Sequence, residues 1–231
     1  MSARLEELDY QETPMGELSL RRRREPTLDV DVFEVKLGDE YLMSSLFVVA
    51  EEALSHLGLA ASALDEIDVM VGGLGLGYTA VAALEDERVT SLTVVDALPA
   101  VISWHEKRLL PVSASLVDDP RTTLQHDDFF ALMRATPTTQ FDALLVDIDH
   151  STEHQLDPSH ADLYTVDGLT RLALHLRAGG VFALWSDDPP LESFMEMLRA
   201  VFPFVESHVV SFDNFLTGGV SMNSVYVARL G

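Results

Sequence analysis

Short apolar runs alternate with segments of helical spacing over most of the chain, and this alternation constrains the fold more than any other feature. The run IDVMV (67–71) has one charged residue and is shorter than most helices. Strands that are apolar along nearly their whole length are typical of parallel sheets covered by helices on both faces. We therefore predict an α/β fold with a mostly parallel sheet. The predicted strands are 67–71, 91–96, 122–126, 141–149, 179–186, 205–212 and 223–230, and the predicted helices are 79–84, 99–108, 128–135, 164–176 and 191–201.

The two ends of the chain depart from this alternation. No helix-length segment separates the last two predicted strands, so we expect them to close the sheet as an antiparallel pair. Near the start, apolar residues are largely interleaved with polar ones, as in hairpins. The sequence thus predicts a β-hairpin domain over residues 1–43 and an α/β domain over residues 44–231. The second domain is expected to open with a helix over 44–57, capped by Ser44 and ended by Gly58.

The charge of the chain limits its partners. It has 38 acidic residues against 15 lysines and arginines, a formal net charge of −23. Such a surface repels nucleic acid and anionic lipid and attracts cations, so we expect neither nucleic acid nor membrane as a partner. The four consecutive arginines of SLRRRREP (19–26) are expected to pair with carboxylates of the same chain. Without cysteines or an apolar run of roughly 20 residues, we expect a cytoplasmic protein.

A glycine-rich loop follows the first predicted parallel strand. Gly73, Gly75 and Gly77 lie in GLGLG, at the strand-to-helix turn where open α/β sheets commonly bind phosphates or nucleosides. Asp96 ends the next strand, where a carboxylate can accept hydrogen bonds from both hydroxyls of a ribose. The loop and this acid together favour a nucleoside ligand over a tight turn of purely structural purpose.

Two classes of nucleoside fit a loop of this kind. The dinucleotide fingerprint G-x-G-x-x-G would need its third glycine at position 78, which is Tyr78 here. A second acid, Asp127, follows the third strand, where it can accept from an adenine amino group. The loop and the two acids, in this order, favour an S-adenosyl nucleoside over NAD.

These motifs resemble those of the spermidine synthases, or polyamine aminopropyltransferases. The resemblance implies a small N-terminal β-hairpin domain on a Rossmann-like fold of the S-adenosylmethionine-dependent methyltransferase type, with a seven-stranded sheet. It also implies decarboxylated S-adenosylmethionine as donor, a small-molecule amine as acceptor and a homodimer. The segments that carry it are YQETPMGELSL (10–20), LGDEYLMSS (37–45), GLGLGYT (73–79), DALPAVI (96–102), HDDFF (126–130), DIDHS (147–151), GGVFALW (179–185) and TGGVSMNSVYVA (217–228).

The resemblance also assigns roles to single residues. Asp147, at the end of the fourth strand, would be the base that accepts a proton from the attacking amine, because only a neutral amine can attack. His150 beside it is a candidate acid/base partner, and Trp185, at the end of the fifth strand, is a candidate pocket wall. The implied donor-binding residues are Gly73, Gly75, Gly77, Asp96, Ala97, Asp127 and Asp128, and the candidate amine-binding residues are Tyr41, Asp149 and Trp185.

Three departures from the family pattern affect the amine side. Leu76 replaces the loop aspartate, Tyr41 is followed by Leu42 and Met43 instead of a histidine and a glutamate, and His150 replaces the second aspartate of D-x-x-D. Without the loop aspartate, the carboxylate of S-adenosylmethionine itself would face less repulsion. A methyltransferase that uses S-adenosylmethionine on an unknown acceptor is therefore an alternative, and a non-catalytic module that binds a nucleoside or polyamine is another.

The segment after the fourth strand is rich in possible metal ligands. Residues 147–160 include three aspartates and three histidines, but their spacing matches no closed zinc site. Transfer from a sulfonium needs no Lewis acid. We therefore expect no metal.

Overall fold

Four antiparallel strands form a sheet at the N-terminal end of the structure, a computed structural model that describes residues 5–13 and 16–231. Pro14 and Met15, which belong to one of the segments quoted above, and residues 1–4 of the predicted first domain lie outside the described residues. The sheet confirms the predicted hairpins. Its strands are β1 (Leu5–Thr13), β2 (Gly16–Glu25), β3 (Val30–Leu37) and β4 (Glu40–Ser44).

This small sheet shares its apolar core with the rest of the chain. Leu18, Leu20 and Val35 are fully buried and belong to the same cluster as Val69 and Leu145 of the larger sheet. Because the core is continuous, the division of the chain at residues 43 and 44 stays a prediction.

The run of four arginines lies on β2, and its side chains pair with acids of the neighbouring strands and turn. These residues therefore stabilise the small sheet locally, as expected from the charge of the chain. The ion pairs are Arg21–Glu7, Arg22–Glu6, Arg23–Glu25, Arg23–Glu34, Arg24–Asp29 and Arg24–Asp31.

The larger sheet has seven strands, in agreement with the predicted fold class. Its strands are β5 (Ile67–Gly72), β6 (Val89–Asp96), β7 (Thr122–His126), β8 (Phe141–Val146), β9 (Leu176–Ser186), β10 (Phe204–Asn214) and β11 (Gly219–Arg229). Their spatial order is β10-β11-β9-β8-β5-β6-β7, parallel from β9 to β7, with β11 antiparallel to both β9 and β10.

The part of the chain that the structure describes contains seven helices, all between β4 and β10. They are α1 (Val49–Ala60), α2 (Tyr78–Leu84), α3 (Pro99–Glu106), α4 (Ser113–Val117), α5 (Phe129–Arg134), α6 (Val166–Ala173) and α7 (Glu192–Arg199), and a 3₁₀ turn covers Pro158–Asp162. The strand order reverses beside β5, which lies between β6 and β8. In open α/β sheets ligands bind beyond the carboxyl ends of the strands at such a switch point.

The first helix differs from its prediction at both ends. It begins at Val49, because Ser44 still belongs to β4 and the Ser45 hydroxyl accepts a hydrogen bond from the backbone N–H of Phe33. It also continues past Gly58 to Ala60. A Cβ at Gly58 would lie 2.7 Å from Cδ2 of Leu145, so this glycine lets the helix pack closely on the sheet.

The fourth parallel strand is shorter than predicted. The sequence suggests a strand over 141–149, but β8 ends at Val146. The next two residues, Asp147 and Ile148, leave the sheet and line the cavities at its carboxyl edge. Two of the three residues misassigned to the strand therefore line the candidate site.

Candidate active site

The glycine loop passes very close to the carboxyl end of β8. Gly73 has a φ of 95°, and a Cβ there would lie 2.0 Å from the carbonyl oxygen of Asp147. Any other residue would force these two segments apart. The loop glycine thus brings the ends of β5 and β8 together.

Asp96 holds the same loop from the other side. Its Oδ2 accepts a hydrogen bond from the backbone N–H of Leu74 at 3.0 Å, and its Oδ1 accepts one from Leu98 at 2.8 Å. Burial raises the pKa of Asp96, while these backbone hydrogen bonds oppose the rise. The acid at the end of β6 therefore fixes the loop and faces a ligand cavity at once.

Two adjoining cavities open at this edge of the sheet. Cavity I, of about 220 Å³, is lined by Phe47, Glu51, Leu76, Asp147, His150 and Trp185, among others. Cavity II, of about 270 Å³, is lined by Asp96, Ala97, Asp128, Phe129, Phe130 and His160, among others. Gly75, Asp147 and Ile148 line both cavities. Asp147 therefore lies where a ligand in one cavity would meet a ligand in the other.

A pair of carboxylates dominates the electrostatics of cavity I. Burial raises the pKa of Asp147 to about 6, although the Thr79 hydroxyl donates a hydrogen bond to its Oδ2 at 2.6 Å. Burial and the charge of Asp147 raise the pKa of Glu51 to about 8. Two carboxyl groups that resist joint ionisation favour a proton or another cation between them. Cavity I is thus suited to a cationic group.

Most of the residues that the sequence singles out lie in the two cavities. Asp147, His150, Trp185, Gly75 and Gly77 line cavity I. Gly73, Gly75, Asp96, Ala97, Asp128 and Asp147 line cavity II. Their roles in binding or catalysis stay predictions, but the fold places them along two adjoining cavities.

Three predicted residues lie outside both linings. Tyr41 is 61 % exposed, with the Lys36 ammonium over its ring. Asp127 is half-buried, and its carboxylate accepts hydrogen bonds from the Gln125 side chain and the Asp128 backbone. Asp149 is buried, and its carboxylate points into a hydrogen-bond network beneath cavity II.

Glu51 and His160 are cavity residues that sequence reasoning missed. Glu51 is in the first turn of α1, where an acid usually serves the helix dipole, and no motif marks it. His160 follows a proline in a polar loop and is one of three nearby histidines. A signal for Glu51 exists only in retrospect: it is an acid in the first turn of a helix whose buried residues are small or apolar.

Among residues 5–13 and 16–231, no group of three or more acidic, histidine or cysteine side chains is arranged to hold a metal ion. Within the same ranges, no helix is both long and apolar enough to cross a membrane.

Comparisons with known proteins agree with this geometry. The chain is 28 % identical over 175 residues to the polyamine aminopropyltransferase of Bacillus subtilis. The matched region covers 74 % of this chain and 60 % of that protein. It is 28 % identical over 130 residues to putrescine N-methyltransferase 2 of Nicotiana tabacum, covering 56 % of this chain and 35 % of the relative. The chain thus spans 60 % of the length of the first relative and 35 % of the second.

Solved structures show the same fold. Spermidine synthase from Thermotoga maritima superposes with a TM-score of 0.74 at 19 % identity, covering 97 % of this chain and 73 % of that one. A spermidine synthase in complex with the transition-state analogue AdoDATO gives a TM-score of 0.73, also at 19 % identity. The predicted Rossmann-like methyltransferase fold is confirmed.

The family assignment comes from the family model. The model of the spermine/spermidine synthase domain matches residues 48–219, which is more than half of the chain. This match covers the glycine loop, the ends of β6 and β8 and the residues of both cavities from Glu51 onward. The chain belongs to the spermine/spermidine synthase family.

Proposed function

We propose that the protein is an aminopropyltransferase that moves the aminopropyl group of decarboxylated S-adenosylmethionine to a small amine. The observation that carries this proposal is the carboxylate pair of Glu51 and Asp147 in cavity I, of which Asp147 also lines cavity II. Both the acceptor amine and the aminopropyl tail of this donor are cations at neutral pH, and a buried acid pair stabilises a cation.

Cavity II supplies what the donor nucleoside needs. The Asp96 carboxylate is in place to accept ribose hydroxyls while it holds the glycine loop. Phe129 and Phe130 offer apolar surface for a base. A nucleoside seated there would have its sulfonium near the junction, where Asp147 contributes negative charge.

Glu51 bears on which donor is used. In this family the loop aspartate lies near the transferred group, and Leu76 occupies its place here. The structure brings another carboxylate, from α1, into the same cavity. The free carboxylate of S-adenosylmethionine would meet two acids there, whereas the decarboxylated tail carries only an ammonium group. The pair therefore supports the decarboxylated donor.

Asp147 is in position to act as the base. The amine nitrogen forms a bond to the carbon next to the sulfonium, the C–S bond breaks, and its electron pair stays on sulfur as the neutral thioether. The proton of the attacking amine passes to Asp147, whose raised pKa suits proton transfer near neutral pH. Apolar residues that line both cavities, among them Leu42 and Met43, limit the access of water to this step.

Other parts of the proposal rest on charge and on the family. The net charge of −23 supports a small cationic substrate and opposes nucleic acid as a partner. We include His150 as a polar neighbour of the acceptor, since it lines cavity I. A homodimer in the cytoplasm completes the proposal, and light scattering on the purified protein would test the dimer.

A second function has one observation in its favour. Putrescine N-methyltransferases of Nicotiana are among the relatives, so sequences in this range of similarity include methyltransferases. With Leu76 in the loop, transfer of a methyl group from S-adenosylmethionine to an amine is the alternative.

Product mass separates the two functions. The full chain is incubated with putrescine and either S-adenosylmethionine or its decarboxylated form, and the products are weighed by mass spectrometry. We expect addition of an aminopropyl group, only with the decarboxylated donor, and its loss in Asp147→Asn. Addition of a methyl group would establish the alternative. Binding without any product, from either donor and over a panel of amines, would contradict both.

A further inference from the structure

A buried carboxylate lies beneath cavity II and accepts three hydrogen bonds. The Asp149 side chain is 1 % exposed. Its Oδ1 accepts from the Leu156 backbone N–H and lies 2.8 Å from Nδ1 of His160, and its Oδ2 accepts from the Tyr164 hydroxyl at 2.7 Å. A buried carboxylate is stable only when such donors surround it. The network therefore fixes the positions of the groups that bond to Asp149, among them the His160 ring.

The network fixes the protonation of one ring nitrogen of His160. Because a carboxylate can only accept, Nδ1 carries the hydrogen. In the neutral ring Nε2 then has a free lone pair. The ring also stacks on Phe130, with centroids 3.6 Å apart and planes 10° apart. Both the plane of the imidazole and its tautomer are thus set by neighbours.

The edge of the His160 ring that carries Nε2 faces cavity II. His160 lines this cavity, and its side chain retains 13 % exposure. Within residues 5–13 and 16–231, no hydrogen bond engages Nε2, and this atom is not among the buried atoms without a partner. Nε2 is therefore an accessible acceptor at the cavity wall.

The carboxylates in or next to this part of the cavity already accept hydrogen bonds from the protein. Asp128 caps α5 by accepting from the backbone N–H of Ala131. Asp127 accepts from Gln125 and from the Asp128 backbone. Asp96 is committed to the ribose region and the glycine loop. An exocyclic amine on a purine has two N–H donors, so at least one further acceptor is useful.

We propose that His160 determines base specificity by accepting, through Nε2, a hydrogen bond from the exocyclic amine of a 6-aminopurine nucleoside. The proposal rests on the proposed function, since it assumes a nucleoside in cavity II. A 6-oxopurine would turn an oxygen lone pair toward Nε2. The two acceptors, this oxygen and Nε2, would then face each other without a hydrogen between them. If residue 160 only packed against Phe130, a phenylalanine would serve as well. The buried Asp149 carboxylate beside it would then be a cost without a function.

The test compares two ligands on matched variants of the full chain. Calorimetry measures the binding of methylthioadenosine and methylthioinosine. We expect the wild type to prefer the adenine compound by about tenfold or more. His160→Asn retains an amide that can donate to Asp149 but removes Nε2, and we expect the two affinities to come within about threefold of each other. Tyr164→Phe removes a different hydrogen bond of the same carboxylate, and the preference should survive.

The outcomes separate this inference from the proposed function. A wild type that binds neither nucleoside overturns the proposed function, and the inference with it. A wild type without preference, or a His160→Asn variant that keeps the preference, overturns the inference alone. If His160→Asn is not folded by circular dichroism, His160→Phe combined with Asp149→Asn takes its place with the same expectation, because the second change removes the buried charge that His160→Phe alone would leave without this partner.

Discussion

Cavity II and cavity I differ in how the chain builds them. The donor side uses backbone conformation and acids at strand ends: the glycine loop after β5, Asp96 after β6 and Asp128 after β7. The acceptor side combines side chains from distant segments, with Glu51 from α1 and Trp185 from β9 beside Asp147. Backbone geometry at strand ends tolerates little change, whereas a carboxylate can be supplied from any element that faces the cavity. The comparison explains how the proposed donor motifs of this chain can match the family pattern while the proposed amine motifs depart from it.

The largest expected effect comes from removing the base. Asp147→Asn should lower turnover by about 10²–10⁴ because the amide cannot accept the proton. Steady-state kinetics with decarboxylated S-adenosylmethionine and putrescine measures the loss, and calorimetry with methylthioadenosine should show nucleoside affinity almost unchanged. Glu192→Gln on the exposed surface, which also removes one negative charge, is the control. Full activity in Asp147→Asn would take this residue out of the mechanism.

The donor side should respond in binding instead of turnover. Asp96→Ala removes both the proposed ribose acceptor and the hydrogen bonds that hold the glycine loop. We expect methylthioadenosine affinity to fall by about 1–3 kcal/mol in calorimetry. Asp96→Asn, which keeps one oxygen acceptor, should lose less. Equal affinity in wild type and Asp96→Ala would show that the nucleoside lies elsewhere.

A substitution at Glu51 tests whether this carboxylate of cavity I contributes to binding the amine. Glu51→Gln keeps the size of the side chain but cannot ionise when a cationic amine enters the cavity, so the KM for the amine should rise about tenfold with a smaller change in kcat. The neighbouring Glu52→Gln, which does not line either cavity, is the matched control. If both variants behave alike, Glu51 is no more than a first-turn acid of α1.

The smallest expected effect is a shift of the pH profile. Asp147 must be ionised to accept a proton, so activity should rise as pH increases through its pKa of about 6. The Thr79 hydroxyl stabilises the ionised form. Thr79→Val should therefore raise this pKa and move the acid limb of kcat to higher pH by about half a unit to one unit. Thr79→Ser, which keeps the hydroxyl, should leave the limb in place; a limb that does not move in Thr79→Val would rule out this control of Asp147.

The accuracy of the sequence predictions follows the same division. The parallel strands were predictable because each is a short apolar run bounded by polar turns. The glycine loop was predictable because the backbone conformation at Gly73 requires a glycine. The start of α1 was predicted wrongly because Ser44 and Ser45 have the composition of a cap but take part in β4 and its neighbour. Gly58 was predicted to end the helix, but a glycine is needed there because α1 packs closely on Leu145 of the sheet.

By itself, the sequence determined the α/β class, the order of loop and acids on the donor side, and the resemblance to the spermidine synthases. Those features depend on hydrophobic period and on residue types at fixed positions along the chain. Only the tertiary structure decided that Glu51 stands beside Asp147 and that His160 rests on Asp149. Such pairs join residues 96 and 11 positions apart, and their proximity depends on how helices and loops pack on the sheet, which no local pattern encodes.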